Sequence, residues 1–390
     1  MNRMNYYLNN GKILERVKTR SSISLITLVL SLVIFSCTKL KESNNESTPT
    51  LEKLSLYSNS YRIGPFHIES SFQFKSFSNE SSDLYGYATD SLVEIFEMNS
   101  GLKMLSHNIH EIFKDSIGQI NSFVIDSLNY VIVTDENLYI YNGSFSIVNL
   151  KKWTDSGMVI GNLTTPAYSA RSSKLCFALI DYRNVDSREH IYDYNHVGVI
   201  DLKTGEMSVL DVPYSDNMKI YGDYIVPYTF ITYHDGFFVV SSNIDEQVYL
   251  VDHEDLSISP YVLKSVLGSV EQLEIDDNKE IAKAKNQEFG FNYLKAWVST
   301  DDSVIYRLVR LNREAKLYDG TFSSAKDQPY SLIRYSFNTH KKSEIELPRM
   351  KAGQNMEMFL HHNEICYRTN YVLSRKDTSW NFIFNCYSIY

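Results

Sequence analysis

The stretch Leu92-Val-Glu-Ile-Phe-Glu97, with Asn99-Ser-Gly101 close behind it, contains a pattern that recurs along the chain. A short run of large apolar residues is followed by a turn sequence and, in most copies, by a second strand. Asn and Gly tolerate positive φ angles, so apolar runs that flank them are typical of β-hairpins. Five further copies lie at Leu138–Tyr141, Val197–Asp201, Val248–Asp252, Leu332–Ser336 and Phe382–Tyr387.

The spacing of the six copies indicates the fold. Equivalent apolar residues lie 44, 60, 51, 84 and 52 residues apart. A four-stranded propeller blade takes about 40–50 residues plus loop variation, so four of the five spacings match one blade. We attribute the spacing of 84 to an insertion. Each copy is preceded by a nearly continuous apolar run, which predicts a strand covered on both faces: Asp83–Tyr87, Tyr130–Thr134, Leu175–Ile180, Phe237–Val240, Val304–Val309 and Ile365–Tyr367.

The last copy ends three residues before the C-terminus, so it lacks a fourth strand. Residues 51–57 alternate apolar and polar side chains, and we predict that this N-terminal segment supplies the strand and closes the ring, which removes an open sheet edge. The sequence therefore predicts an all-β protein with one six-bladed β-propeller over residues 51–390. A large sandwich or a β-helix is the rival fold, but neither requires six copies that end one strand short.

The N-terminus has the layout of a secretory signal. Five basic residues and one acid precede the apolar run Ile23–Phe35, which Ser36 and Cys37 close. Thirteen helical residues cover roughly 20 Å, which is short of the hydrocarbon core of a bilayer. We predict a lipoprotein signal peptide over residues 1–36, lipidation of Cys37, and a flexible polar tether over residues 37–50. The alternative is an uncleaved signal anchor with an incidental cysteine.

Charge and composition narrow the range of partners. The chain carries a net charge of −9, and removal of residues 1–36 would change it to −13. An acidic surface repels phosphate backbones, which argues against a nucleic-acid partner. The 29 Tyr and 20 Phe residues favour strands.

Three cysteines follow Cys37, and no Cys-x-x-Cys pair supports a zinc site. Cys366 and Cys386 lie on two predicted strands joined by a turn. If this turn is centred near residue 377, the two residues are diagonal neighbours about 7–8 Å apart, which is too far for an unstrained disulfide. We therefore expect buried free thiols, although a change of one residue in the turn would alter the pairing.

The long connections of the predicted propeller collect on one face, at 182–195, 264–290 and 311–328. Long loops on a rigid scaffold commonly carry binding sites. The first connection is rich in side chains that suit a polar ligand or a partner, and it supplies the candidate binding residues Tyr182, Arg183, Asp186, Arg188, His190, Tyr192 and Tyr194. Equally, the three connections could be ordinary solvated loops. Within the second, the charge order over Ser269–Phe289 predicts a helix.

Catalytic and metal-binding signatures are missing from the sequence. It contains no His-Glu-x-x-His, Gly-x-Ser-x-Gly, phosphate-binding or dinucleotide-binding motif. His361 and His362 are adjacent on a predicted strand and therefore point to opposite faces, so they are a poor metal pair. We assign no catalytic residue, metal ligand or cofactor.

The lipobox-like Ile34–Cys37, the short tether and the six Tyr- and Asp-rich repeats together resemble uncharacterised lipoproteins of Bacteroidota with a TolB-like six-bladed propeller, a domain of unknown function. The resemblance implies attachment to the outer membrane, and Lys39 and Lys41 after the cysteine favour the periplasmic side. The leading hypothesis is a non-catalytic binding or scaffolding propeller for a protein or glycan partner. The alternative is a propeller hydrolase or lyase with its site at the mouth of the central channel.

Overall fold

The computed structural model describes residues 58–67, 75–78, 84–89, 91–113, 117–155, 157–160, 166–181, 195–312, 328–350, 358–361, 364–373 and 379–388. All of them belong to the compact unit Thr50–Tyr390. Cys37, the segment 51–57 and the seven candidate residues between Tyr182 and Tyr194 lie outside the described residues. Among the described residues, no helix is both long and apolar enough to cross a membrane.

Six antiparallel sheets form a six-bladed β-propeller, as the repeat predicts. The first strand, β1 (Ser58–His67), belongs to the last blade. Blade 1 contains β2 (Lys75–Ser78), β3 (Leu84–Ala88), β4 (Leu92–Glu97) and β5 (Lys103–Asn108). Blade 2 contains β6 (Ser122–Asp126), β7 (Asn129–Val133), β8 (Asn137–Tyr141) and β9 (Phe145–Asn149).

Blade 3 differs in that two short strands pair with the same neighbour. Both β10 (Met158–Ile160) and β11 (Ala167–Ser169) pair with β12 (Lys174–Asp181), which continues to β13 (Val197–Asp201) and β14 (Glu206–Val209). Blade 4 contains β15 (Thr229–His234), β16 (Phe237–Ser242), β17 (Gln247–Asp252) and β18 (Ile258–Val262). Its first turn has positive φ at both Asp235 and Gly236, as a tight hairpin requires.

Blade 5 contains β19 (Asn292–Ser299), β20 (Val304–Arg310), β21 (Gln328–Ser336) and β22 (Lys342–Met350). Blade 6 contains β23 (Phe359–His361), β24 (Glu364–Leu373) and β25 (Ser379–Ser388), and β1 pairs with β25 as its outermost strand. The N-terminal strand therefore closes the last blade, as predicted. It runs from Ser58 to His67, immediately after the alternating segment 51–57 that suggested it.

Short helices occupy the connections: α1 (Ile109–Phe113), α2 (Lys151–Thr154), α3 (Asp216–Tyr221), α4 (Lys279–Phe289), and 3-10 turns at Gly222–Tyr224 and Val270–Gln272. The last 3-10 turn and α4 lie within the insertion before blade 5, which confirms that the spacing of 84 contains an insertion and not a missing blade. The predicted helix over Ser269–Phe289 is divided, because residues 273–278 between the two pieces are not helical.

The core lies between neighbouring blades. Five clusters of buried apolar side chains occupy the successive seams from blades 1 and 2 to blades 5 and 6. The second and third strands of the blades contribute most of them, because both of their faces are covered. The hydrophobic effect therefore stabilises each blade through its neighbours as well as through its own sheet.

The expectation of two free thiols in the last blade is wrong. Cys366 pairs directly with Cys386 across β24 and β25, and the two form a disulfide. A register shift between Arg368 and Asn370 moves the pairing by one residue, and the turn itself is centred slightly earlier than expected. Cys176, in contrast, is a buried free thiol whose pKa is raised by burial.

Candidate functional site

We call one end of the propeller the loop face. The connections between second and third strands and those between blades emerge there. Thr134 and Asp135 belong to such a connection in blade 2, and α2 belongs to the connection from blade 2 to blade 3. The second strand of blade 3, β12, ends at this face with Asp181.

A cleft on the loop face separates blades 2 and 3. Its lining is mostly apolar, and of its polar residues Asn121 and Thr134 are buried whereas Asp135 is exposed. The lining consists of Asn121, Thr134, Asp135, Leu150, Trp153, Thr154, Met158, Ile160, Phe177, Ile200 and Met207. The amide nitrogen of Asn121 donates to Oδ1 of Asp135 over 2.6 Å. The ammonium of Lys152 lies 4.4 Å from the centre of the Trp153 ring. The arrangement is a small apolar notch with a polar, charged margin.

The size of the cleft limits what can enter it. The enclosed volume is about 20 Å³, which accommodates roughly one water-sized group. Pockets that hold metabolite-sized ligands measure about 300–1,000 Å³. The notch therefore admits a group of about the size of a methyl, such as the tip of one apolar side chain, and is too small for a whole small molecule or a sugar ring.

The notch is connected to the predicted binding segment through β10. Met158 and Ile160 line the cleft and pair with Asp181 and Leu179 of β12. Asp181 is the residue before the segment Tyr182–Tyr194. The wall of the notch and the first end of this segment are therefore held by the same pair of strands.

A buried histidine, His196, lies two residues after this segment in the sequence. His196 is 1% exposed, its ring stacks on Tyr214 with 3.9 Å between centroids, and its Nε2 lies 3.1 Å from Oγ of Ser242 in blade 4. Burial lowers the pKa of His196 to about 3, although a backbone hydrogen bond with Val212 opposes this. The ring is therefore neutral at physiological pH and supports the base of the segment without carrying charge.

A second group of polar side chains is buried between blades 4 and 5. Asp245 is 3% exposed; its Oδ1 accepts from the backbone of Gln247, and its Oδ2 has no hydrogen-bond partner. Burial raises the pKa of Asp245 to about 6, against the effect of the Gln247 N–H and the Arg307 guanidinium. This carboxyl group therefore titrates near neutral pH.

Arg307 is fully buried beside Asp245. Its guanidinium lies 3.8 Å from the centre of the Tyr293 ring and donates to Oγ of Ser241 and to the carbonyl oxygens of Ser242 and Asp245. Burial lowers the pKa of Arg307 to about 10, so the side chain stays charged at neutral pH. The guanidinium fixes the second connection of blade 4 against blade 5.

The inserted helix α4 is fixed at both ends. Lys279 forms an ion pair with Asp223 at the start of the helix. Arg310 donates to the carbonyl oxygens of Asn286, Gln287 and Gly290 at its end, where a positive charge complements the helix dipole. These contacts hold α4 in place on the loop face, and they do not support a role for this helix as a hinged lid.

The opposite face carries a compact hydroxyl–imidazole cluster. Oγ of Ser169 lies 2.7 Å from Nδ1 of His253 and 3.1 Å from the hydroxyl of Tyr233, and burial lowers the pKa of His253. Ser169 and Arg307 are 0% exposed. The Asp245–Arg307 and Ser169–His253 clusters are therefore enclosed between blades.

Two aspartates on this opposite face connect each blade to the next. Asp126 at the end of β6 accepts the backbone N–H of Ala170 over 2.7 Å. Asp235 accepts from both the backbone and the hydroxyl of Thr300. Burial opposes ionisation of Asp235, but hydrogen bonds from His234 and Thr300 hold its pKa at about 2. These carboxylates stabilise the seams.

Sequence reasoning missed the notch, His196 as a supporting residue, and the Asp245–Arg307 pair. The notch is assembled from separate segments of blades 2 and 3, so no single motif reveals it. A signal was present for Arg307, since an arginine inside the apolar run Val304–Val309 must find buried acceptors. The position of those acceptors in blade 4 was not visible from the sequence.

No family model matches the sequence, and no curated protein matches it. Solved structures do resemble the fold. A member of the DUF4221 family from Bacteroides vulgatus has a TM-score of 0.61 at 13% identity, over 86% of this chain and 98% of the other. An oligogalacturonate lyase in complex with manganese has a TM-score of 0.41 at 9% identity, over 88% and 98%. The first likeness supports the six-bladed propeller fold.

Proposed function

We propose that this protein is a lipid-anchored, extracytoplasmic propeller that binds a protein partner through its loop face. The lipid is carried by Cys37, and the outer membrane, on its periplasmic side, is the proposed location. The partner contacts the segment Tyr182–Tyr194 and inserts one apolar side chain into the notch between blades 2 and 3. The role is binding or scaffolding, without catalysis.

The notch is the observation that carries this proposal. An apolar pocket for one side chain, surrounded by a polar margin, is the arrangement found at the centre of protein–protein contacts. A glycan would need a wider platform, since a sugar ring exceeds the enclosed space. The direct pairing of β10 with the end of β12 supports a shared surface made of the notch and the adjoining segment.

The disulfide supports the proposed compartment. Disulfides persist in oxidising environments and are rare in the cytosol, where thiols are kept reduced. The Cys366–Cys386 bond is therefore in keeping with export guided by the N-terminal signal.

The alternative of a propeller hydrolase or lyase has weaker support. An enzyme of this kind should bring acidic and histidine side chains together in an accessible site with shifted pKa values. Of the shifted groups described above, His196, Asp245 and Arg307 are buried at seams, where their hydrogen bonds fix neighbouring blades. Their environment explains them without a substrate.

The test is a pull-down from membranes with three variants, each anchored through Cys37. One lacks residues 183–194, one carries Trp153→Ala at the notch, and the matched control lacks 314–326, another long connection of the same face. We expect a specific protein partner that is lost with the first two variants and retained with the control. A partner that still binds the first two variants, or the binding of a glycan and not a protein, would contradict the proposal.

A further inference from the structure

Four side chains of metal-ligand type share one face of the last blade. Glu364 and Cys366 are two residues apart on β24 and therefore point to the same side. Cys386 pairs directly with Cys366, and His361 of β23 pairs directly with Glu364. Directly paired residues on neighbouring strands also share a face. The three strands thus place two thiols, a carboxylate and an imidazole on one face, and the close group of ligand atoms comprises the two thiols and the carboxylate.

The ligand atoms are close and enclosed. The carboxylate oxygen of Glu364 and the two sulfur atoms lie within 4.8 Å of one another, and all three residues are buried. His361 is 4% exposed. Ile365 and Tyr387, the neighbours in sequence, pack into the apolar seam with blade 5. The set of four therefore lies on the face of blade 6 that is turned away from that seam.

We propose that the reduced protein binds one zinc-class divalent ion at Glu364, Cys366 and Cys386, with His361 as the fourth ligand. Zinc is bound by thiolate, imidazole and carboxylate groups in tetrahedral sites. Two thiolates discriminate against magnesium and calcium, which prefer oxygen ligands only. The proposal does not rest on partner binding at the loop face.

The disulfide and the metal site are alternative states of the same two cysteines. A dithiol reductant attacks the Cys366–Cys386 bond; the S–S bond breaks, the reductant becomes a disulfide, and both cysteines become thiols. Rotation about the Cα–Cβ bonds then separates the sulfurs. Binding of the ion releases the two thiol protons and forms two metal–sulfur bonds. Both states join β24 to β25, so the blade is cross-linked either covalently or through the ion.

Strand register is the reason that the sequence did not reveal this site. The ligands are spread over residues 361–386 without a Cys-x-x-Cys pair. In the sequence, His361 stands out only as a partner of the adjacent His362. Only the pairing of His361 with Glu364 and of Cys366 with Cys386 brings the four groups together. His362 lies outside the described residues and takes no part in the proposal.

The experiment compares the oxidised and reduced forms of the purified protein. A phosphine reductant cleaves the disulfide and is itself oxidised to the phosphine oxide with an oxygen from water. Each form is incubated with Zn²⁺, desalted without oxygen and analysed for zinc. We expect about one zinc per reduced chain and none above background in the oxidised form. Co²⁺ in place of zinc should give the charge-transfer absorption of cobalt–thiolate bonds.

Variants test the individual ligands. Cys386→Ser should abolish retention of the ion, and Glu364→Gln, which keeps both cysteines, should weaken affinity by about tenfold or more. Cys176→Ala is the matched control, because it removes the other buried thiol and should leave binding unchanged. Circular dichroism confirms that each variant is folded. A reduced wild type without zinc, or full retention by Cys386→Ser, would overturn the site; unchanged affinity in His361→Ala would overturn the fourth ligand.

Discussion

Blades 4 and 6 are both four-stranded antiparallel sheets, yet they are held in different ways. Blade 4 comes from one continuous stretch, Thr229–Val262, and is fixed to its neighbours by buried polar groups such as Asp245, Arg307 and His196. Blade 6 takes its outer strand from the far end of the chain and carries a disulfide between its middle strands. The blade whose strands are distant in sequence thus carries a covalent cross-link. The continuous blade is held instead by its contacts with the neighbouring blades.

The largest expected effect is the loss of the closing strand. Deletion of residues 51–67 leaves β25 with an unpaired edge and opens the ring. We expect a loss of at least about 5 kcal/mol in the free energy of unfolding, which is the lower end of the stability of a whole domain. Size-exclusion chromatography should show aggregation, and urea unfolding should show a lost or broadened transition. Deletion of 38–50 is the control and should leave both unchanged; a stable monomer without 51–67 would contradict the role of β1.

The disulfide should contribute the next largest effect. It closes a loop with a sequence separation of 20 residues, for which the loss of chain entropy in the unfolded state gives about 3 kcal/mol. The double variant Cys366→Ser, Cys386→Ser should lower the free energy of unfolding in urea by about this amount, measured without metal. A difference below about 1 kcal/mol would show that β1 alone stabilises the last blade.

The contribution of the seam between blades 4 and 5 to the free energy of unfolding should depend on pH. The pKa of Asp245 is raised from 3.8 to about 6 in the folded protein, so the native state holds this proton more tightly than the unfolded chain does. The resulting stabilisation is complete below about pH 4 and is lost as the pH rises through 6. The Asp245→Asn variant has no charge at this position at any pH. Its free energy of unfolding, relative to that of wild type, should therefore rise by up to about 3 kcal/mol between pH 4 and pH 7.5.

Urea unfolding of both proteins at several pH values gives this difference. The contribution of His196 to the free energy of unfolding has the opposite pH dependence, since its pKa is lowered on folding. His196 is present in both proteins, so its contribution cancels in the difference. Asp301→Asn, at an exposed position that does not act on Asp245, is the matched control and should show no such trend. A stability difference that does not change with pH would mean that Asp245 ionises normally.

The smallest effect is expected at the insertion between blades 4 and 5. Lys279 and Asp223 form an ion pair with both side chains about half exposed, at 54% and 55%. Exposed pairs contribute about 0.2–1 kcal/mol. Lys279→Ala should therefore lower the free energy of unfolding by less than about 1 kcal/mol, and added salt should reduce the difference. A larger loss would indicate that α4 stabilises the seam as strongly as Arg307 does.

The sequence predicted the second and third strands of the blades because most of their described side chains are buried on both faces and are therefore apolar. Their apolar runs, such as Val304–Val309 and Val248–Asp252, match β20 and β17 closely. The closing strand was expected seven to ten residues too early, since the alternating segment 51–57 looks more like a strand than Ser58–His67 does. Gly64 and Pro65 interrupt β1 at a register shift, which an edge strand tolerates.

The candidate site was less accessible to sequence reasoning. Tyr182–Tyr194 was selected for its composition, and the structure does not describe these residues. The notch depends on Trp153, Met158 and Phe177, which appear in the sequence as ordinary apolar residues. The pairing of Cys366 with Cys386 depended on one bulge and on the position of the turn, and a shift of one residue changes every partner along a strand.

The pairing of Ser58 with Tyr387 has a practical consequence for protein engineering. The two residues are opposite each other on neighbouring strands, so the first and last described strands begin and end side by side, within the roughly 5 Å that separates such partners. A short linker could therefore join the termini, and new ones could be opened between any two blades to give a circular permutant with the same ring. For the same reason, a segment joined directly to Ser58 and one joined directly to Ser388 would leave the propeller at the same place.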